Sequence, residues 1–368
     1  MKNILSIKER IMFKQDHYVP ILKCKKGELD ALKGLPGEIF ERFTPLLEIA
    51  LPDRIDTDDT SPGELTSCFQ KIAEDINKSC KAFPFFFDTW QIEDGLQADT
   101  GEHPVVWFQK KFNDLGMKAI PIVGIDRSQE YLSAFAEACK ISNEVCIRME
   151  VADFPLSPEE IPSLLGRCKV PFSKTHLIFD YEFINDSHYK LVRLAIDSLP
   201  QTLRNLDEYA SYTIAGSSFP ESMATVNQGV NFVPRIEWAL YKEIIASPKH
   251  EGRKPTFGDY AINYVRPLED FDPTTMTASA NIRYTVEDDW MIVKGRSLKK
   301  GFEQFYDLAG IVIQQKQYCG PGYSEGDAMI DACAKRASST GSQTTWRKIG
   351  TSHHITFVVR QIASSFGS

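Results

Sequence analysis

The fold this sequence predicts is a closed (β/α)8 barrel of the α/β class, on three observations. Short β-type runs recur about every 30 residues. Each run stops at a polar or charged residue. Between the runs lie stretches with a helical apolar period and helix-start chemistry, as the crossovers of a parallel sheet demand. Eight such units suit a closed barrel of about 250 residues better than an open doubly wound sheet.

The first run, Tyr18-Val19-Pro20-Ile21-Leu22, leads into Lys23, and Thr44-Pro45-Leu46-Leu47 leads into Glu48. Ser61-Pro62-Gly63-Glu64 then spells a capping box with proline at the first helical position, and Leu65, Phe69, Ile72 and Ile76 follow on one face. Phe83 to Phe87 ends at Asp88, and Val105, Phe108, Phe112 and Leu115 form a helical stripe closed by Gly116. Lys118 to Ile125 ends at Asp126 and Arg127, with Ser128 placed to cap the stripe of Tyr131, Leu132, Phe135 and Cys139. Val145-Cys146-Ile147 ends at Arg148, and Ser157-Pro158-Glu159-Glu160 repeats the capping spelling. His176 to Phe179 ends at Asp180, Tyr212 to Gly216 at Ser217 and Ser218, and Pro255 to Gly258 at Asp259.

After the seventh run come a long loop and a helix near Pro234 to Tyr241. After the eighth, Ile282, Tyr284 and Val286 alternate, Glu287-Asp288-Asp289 turns, and Trp290, Ile292 and Lys294 return. That is a β-hairpin. Placed after strand eight, residues 281–295 are expected as a lid over the mouth, where active sites of this fold occur. Phe302, Phe305, Tyr306, Leu308, Ala309 and Val312 supply the expected closing helix. The barrel is therefore expected over 14–318, with 319–368 as a C-terminal extension packed on it. Within that extension, Ser338 to Ser342 reads as a connector, and His353 to Val359 as a strand or a Ser352-capped helix.

The chain has 368 residues, with 42 Lys+Arg against 50 Asp+Glu and a net charge of −8. A 42% apolar content supports a packed core and argues against disorder. General duplex DNA binding is not expected, because a dense basic face is missing. No apolar run approaches the roughly 18 to 20 residues of a membrane span. Met1 to Phe13 interrupts its apolar residues with Lys8, Glu9 and Arg10, so no secretory leader is expected. The eight cysteines form no Cys-x-x-Cys pair and read as reduced thiols of a cytoplasmic protein.

In a closed barrel the strand ends converge, so Lys23, Glu48, Asp88, Asp126, Arg127, Arg148, Asp180 and Asp259 are expected to share one pocket. Glu48, Asp88 and Asp180 are the candidate catalytic or Mg²⁺/Mn²⁺-binding carboxylates, and Lys23, Arg127 and Arg148 the candidate clamp for phosphate oxygens. The opposing reading is that strand ends are where polar residues begin anyway, as helix caps or ion pairs. Ser217, beside Ser218, is a candidate anion contact, and Arg283 and Lys294 would close the clamp from the hairpin; hairpin charges also serve as solvated edge protection. Arg235 and Glu237 read as a structural pair at a helix start. His353 and His354 read as packing residues, since neighbours in sequence do not converge on one ion. No P-loop, G-x-G-x-x-G, H-E-x-x-H or G-x-S-x-G is present.

The stretch from Tyr18 to Leu29 (YVPILKCKKGEL), with Pro45-Leu46-Leu47-Glu48, Ile147-Arg148, Arg235-Ile236-Glu237-Trp238, Phe257-Gly258-Asp259-Tyr260 and Trp290 to Gly295, resembles the beta protein family named for a bacteriophage T4 protein. The resemblance implies a setting in phage, mobile-element or defence gene neighbourhoods, and implies no catalytic residues. The expectation is a phage–host conflict protein that binds an anionic ligand or a protein trigger at the barrel mouth. The alternatives are a metal-assisted hydrolase or phosphoesterase, and a scaffold subunit whose extension from Gly320 onward is buried in a partner.

Overall fold

The computed structural model describes residues 13–366, apart from 53–54, 56–59, 93–94, 155–156, 204, 251 and 267–277. The N-terminal stretch behind the leader expectation lies, up to residue 12, outside them. In chain order the elements are β1 (Tyr18–Leu22), α1 (Lys26–Lys33), β2 (Leu46–Glu48), α2 (Pro62–Cys80), β3 (Phe85–Asp88), α3 (Pro104–Asp114), β4 (Ala119–Val123), α4 (Gln129–Ser142), β5 (Val145–Glu150) and α5 (Ser157–Cys168). There follow β6 (Thr175–Phe183), α6 (Tyr189–Thr202), β7 (Ser211–Ser217), β8 (Gly229–Pro234), α7 (Ile236–Ala246), β9 (Thr256–Asp259), β10 (Ser279–Thr285), β11 (Asp289–Ser297), α8 (Gln304–Ile313), α9 (Glu325–Ala334) and α10 (Gln343–Phe366).

Eight strands, β1 to β7 and then β9, close a parallel barrel. Closure is direct: Phe257 of β9 registers with Ile214 on one side and with Tyr18 on the other. The helix starts behave as their sequences require. Ser61 accepts from the Glu64 N–H while the Glu64 carboxylate returns to the Ser61 N–H, and Ser128 accepts from the Tyr131 N–H. α5 begins at Ser157, whose side chain lies outside the described residues.

Strand parity divides the side chains. Val19, Ile21, Leu46, Phe86, Ile120, Ile122, Cys146, Ile178 and Ala215 fill the barrel, while the alternate positions pack on the helices. At the base, Phe13 stacks on His17 with ring centroids 3.8 Å apart and also meets Phe86 and His176, stoppering the end opposite the mouth.

Three features differ from expectation. First, β8 in the loop before α7 is a strand, antiparallel to β11, and turns the hairpin into the three-stranded sheet β10-β11-β8. Its alternating exposure carries no apolar run that would mark it in sequence. Second, the hairpin is built in on both faces and is no free lid. Ala280, Ile282, Tyr284, Met291 and Val293 pack with α8, α9 and the start of α10, and Trp290 and Ile292 pack with Phe219, Val226 and Ile262. Third, the helix from Gln304 to Ile313 belongs to that sheet, and α10 takes the eighth outer position instead. Ile355, Val358, Val359 and Ile362 join the core that surrounds the barrel, and α10 runs against α1 and β1. The expected division at 318/319 therefore cuts through one packed unit. Residues 353–359 lie inside this helix, so Ser352 is a buried mid-helix residue and no cap.

All eight cysteines are free thiols. Among the described residues no helix is long and apolar enough to cross a membrane.

Candidate functional site at the barrel mouth

The mouth is organised by one arginine. Arg148, inward on β5 and 5% exposed, donates from Nη1 to Glu48 Oε1 at 2.8 Å and to Asp88 Oδ2 at 3.3 Å. Its Nε and Nη2 donate to Asp180 Oδ2 at 3.0 and 2.7 Å, and Nη2 also donates to the Tyr260 hydroxyl at 2.9 Å. Tyr260 in turn donates to Asp180 Oδ2 at 2.6 Å. Carboxylates from β2, β3 and β6 thus meet on a single guanidinium, whose fork matches several acceptors at once. Against the loss of hydration, Tyr260, Asp180, Glu48 and Asp88 hold Arg148 firmly charged. Burial pushes the Glu48 carboxyl above its usual range, opposed by Arg148.

The strand-end aspartates also shape their loops. Asp88 accepts from the Trp90 N–H at 3.0 Å, Asp180 from the Glu182 N–H at 2.9 Å and Asp259 from the Ala261 N–H at 2.9 Å. Each is an Asx-type bond; those of Asp88 and Asp259 lead the chain off its strand, and that of Asp180 sits at an irregularity within β6.

Two cations stand above this cluster. Lys23 follows β1, and among the described residues no carboxylate oxygen lies within ion-pair distance of it. Burial lowers its ammonium to about 8, against the pull of Glu48 and Glu28. Arg127 approaches Asp88 at 3.5 Å, lies against the rings of Trp90 and Tyr131, and has a buried Nε without a hydrogen-bond partner. Gly124 makes room for it: a Cβ there would fall 3.1 Å from Arg127 Nε. Trp90 is 43% exposed beside it.

The other expected site residues go elsewhere. Asp126 is exposed at the rim. Asp259 has the wrong parity: Gly258 and Tyr260 face inward, and Asp259 points out of the barrel to Tyr18 and His354. Ser217 donates to the Asn263 carbonyl and accepts from the Phe219 N–H, while the Ser218 N–H donates to Glu237 at 3.0 Å, so a carboxylate of the chain already occupies that would-be anion position. Glu237 pairs at 3.6 Å with Arg235, which lies against the rings of Trp238 and Trp290, as a structural pair would. Lys294 is spent on the carbonyls of Met223 and Val226. The metal expectation fails on geometry: among the described residues no group of three His, Cys, Asp or Glu side chains is placed to hold an ion, because the Arg148 guanidinium fills the centre of the carboxylates.

Sequence reasoning missed Tyr260, which stands two residues after the inward Gly258 and packs with the side chains that fill the barrel. It also missed Glu28, Asn263 and Arg347. Glu28 on α1 is fully buried and accepts from Asn263 Nδ2 at 2.8 Å, and Arg347 of α10 donates to Asn263 Oδ1 at 2.9 Å. A surface depression of about 740 Å³ lies at the opposite end of the barrel between α5 and the segments before β6 and β7, away from all these groups.

No curated protein matches the sequence. Among solved structures, the chain is similar to the catalytic module of a family 98 glycoside hydrolase from Streptococcus pneumoniae TIGR4 (10% identity, TM-score 0.41), with 72% of this chain covering 50% of that one. It therefore spans about half the length of that module. It is also similar to a mutant tryptophan synthase alpha-subunit from Pyrococcus furiosus (16% identity, TM-score 0.37), with 68% of this chain covering 89% of that one. The profile of the Beta protein family matches residues 18–360, nearly all of what has just been described, and the chain belongs to that family.

Proposed function

We propose that this protein is a binding barrel whose mouth takes a small anionic ligand, acting in phage–host conflict. One observation carries the ligand reading. Glu48, Asp88 and Asp180 are committed to Arg148, whereas Lys23 and Arg127 stand at the rim with little or no carboxylate pairing of their own. Their unmet donors, the buried Arg127 Nε among them, favour binding an anion over transforming it. The setting rests on the family resemblance. The scaffold alternative loses its expected surface, since α10 packs inside this chain.

A panel of nucleotides and inorganic anions screened by thermal shift and titration calorimetry tests the reading. A bound anion whose affinity falls at least tenfold in Lys23→Ala and Arg127→Ala supports it, and so does phage plating restricted by wild type and unrestricted by the same variants. Affinity and plating indifferent to both substitutions refute it. A phosphoesterase or other hydrolase is the second reading, favoured by the raised Glu48 carboxyl as a proton donor. Turnover of the bound compound that disappears in Glu48→Gln would select it.

A further inference from the structure

The seam between the barrel and the three-stranded sheet carries a second group of cations next to Lys23. Arg283 of β10 donates from Nη1 to the Ile262 carbonyl at 2.7 Å and from Nε to Asn281 Oδ1 at 3.1 Å, with its guanidinium over the Phe219 ring at 4.9 Å. Arg347 hangs on the next residue, Asn263, through its side-chain oxygen. Consecutive residues of the loop after β9 thus each hold one guanidinium. Burial and the neighbouring Arg347 together push the Arg283 guanidinium below its ordinary range while leaving it charged at neutral pH, and Arg347 also acts on Lys23. Among the described residues no carboxylate pairs with Arg283, and the one carboxylate near Arg347 is Glu28, 3.9 Å away.

The local backbone brings these groups together. Gly27 on α1 and Gly350 on α10 both sit where a side chain would collide: a Cβ at Gly27 would meet the Thr344 carbonyl at 2.7 Å, and one at Gly350 would meet Ile262 Cδ1 at 2.6 Å and the Arg283 carbonyl at 3.1 Å. The start of α10 is thereby pressed against α1 and β10. As the eighth outer helix it begins at the mouth, with its N-terminal turn and the positive end of its dipole beside Arg347. Glu28 offsets only part of three like charges in a half-buried notch, and a bound anion would offset the rest.

We infer that this seam is the recognition subsite for the mouth ligand, with Lys23, Arg283 and Arg347 gripping a phosphate-type dianion. The inference rests on the mouth reading and adds the ligand's chemical class. A guanidinium pair offers parallel N–H donors to tetrahedral oxygens, and Lys23 adds a point charge. Arg283 and Lys23 come from opposite sides of the seam, so binding also couples the sheet to the barrel.

Titration of the full-length protein with inorganic phosphate, and with sulfate as a dianion at every pH used, is the test; chloride at equal ionic strength is the control. Phosphate and sulfate should bind wild type, and Arg347→Gln should lower the affinity about tenfold. Arg283→Lys keeps the charge and loses the fork, and should weaken phosphate severalfold when titrated well below that variant's own ligand-free melting temperature. Phosphate binding lost in Lys23→Ala and Arg127→Ala but untouched in Arg347→Gln and Arg283→Lys would overturn the inference and leave the mouth reading standing. Absence of anion binding by wild type would overturn both.

Discussion

His354 Nε2 lies 3.0 Å from Asp259 Oδ2, joining the C-terminal helix to the last barrel strand at a point where neither residue is more than 1% exposed. Tyr18 of β1 donates to the same carboxylate, and the other imidazole nitrogen, Nδ1, lies 2.8 Å from Thr285 Oγ1 on β10. Against a burial that would raise it, His354, Arg235 and Tyr18 hold the Asp259 carboxyl below its usual range; burial keeps the imidazole neutral. An ionised Asp259 therefore accepts from a neutral His354, and one knot fastens α10, β1, β9 and β10. His354→Ala leaves that buried charge short of a donor and should cost about 3 kcal/mol, read from urea unfolding. A loss below about 0.5 kcal/mol would show that the knot does not hold the fold.

Which parts of this were legible follows from what sequence patterns encode. The apolar stretch of a buried parallel strand announces itself by stopping at a polar residue, so Glu48, Asp88, Arg148 and Asp180 could be read directly, although β5 and β6 run on two and three residues beyond Arg148 and Asp180. Parity across a strand's last residue is harder: Gly258 hides which of Asp259 and Tyr260 faces inward, since glycine fits either side. The choice of closing helix was also hidden, because Phe305, Leu308 and Val312 carry the same period whether they pack on a barrel or on a sheet. Arg347 had no local signal, as only the tertiary path of α10 brings it to the mouth.

Arg148 should be indispensable to stability and poorly replaced by lysine. Arg148→Met leaves three buried carboxylates without their shared cation, an expected loss of about 3 to 5 kcal/mol at neutral pH. Arg148→Lys restores charge but not the fork across Glu48, Asp88 and Asp180, and should recover only part of it. The methionine variant should lose less at pH 5 than at pH 8, because protonation relieves the unpaired carboxylates. Equal losses at both pH values in unfolding titrations would contradict this account.

The base of the barrel makes the protein acid-sensitive. Burial pushes His17 down to about 3, helped by His176, and pushes His176 down to about 3, helped by Arg253. In the unfolded chain both titrate near 6.5, so unfolding takes up protons that the folded state refuses. Stability is full above about pH 6.5 and falls as pH drops toward 3, by up to about 1.4 kcal/mol per pH unit for each histidine. Melting temperatures at pH 7 and pH 5 should differ widely in wild type. His17→Gln combined with His176→Gln should narrow the gap even though it lowers the value at pH 7. An undiminished gap would place the acid sensitivity in other groups.

Two helical glycines should respond in opposite directions to the same substitution. On α9, a Cβ at Gly326 would fall 2.2 Å from the Ile349 carbonyl oxygen and 3.2 Å from the His353 nitrogen. Backbone atoms of α10 cannot rotate aside, so Gly326→Ala must push α9 away and should cost about 2 to 3 kcal/mol. That displacement would also disturb Asp327, whose Oδ2 lies 2.9 Å from His353 Nδ1, so the loss should exceed the loss of a single packing contact. On α8, nothing lies within 4 Å of the corresponding position at Gly310. There alanine only removes glycine's excess freedom in the unfolded chain, and Gly310→Ala should stabilise by about 0.5 to 1 kcal/mol. Unfolding curves of the two variants side by side separate close helix approach from intrinsic propensity. If Gly326→Ala is as benign as Gly310→Ala, α9 and α10 do not approach as closely as described.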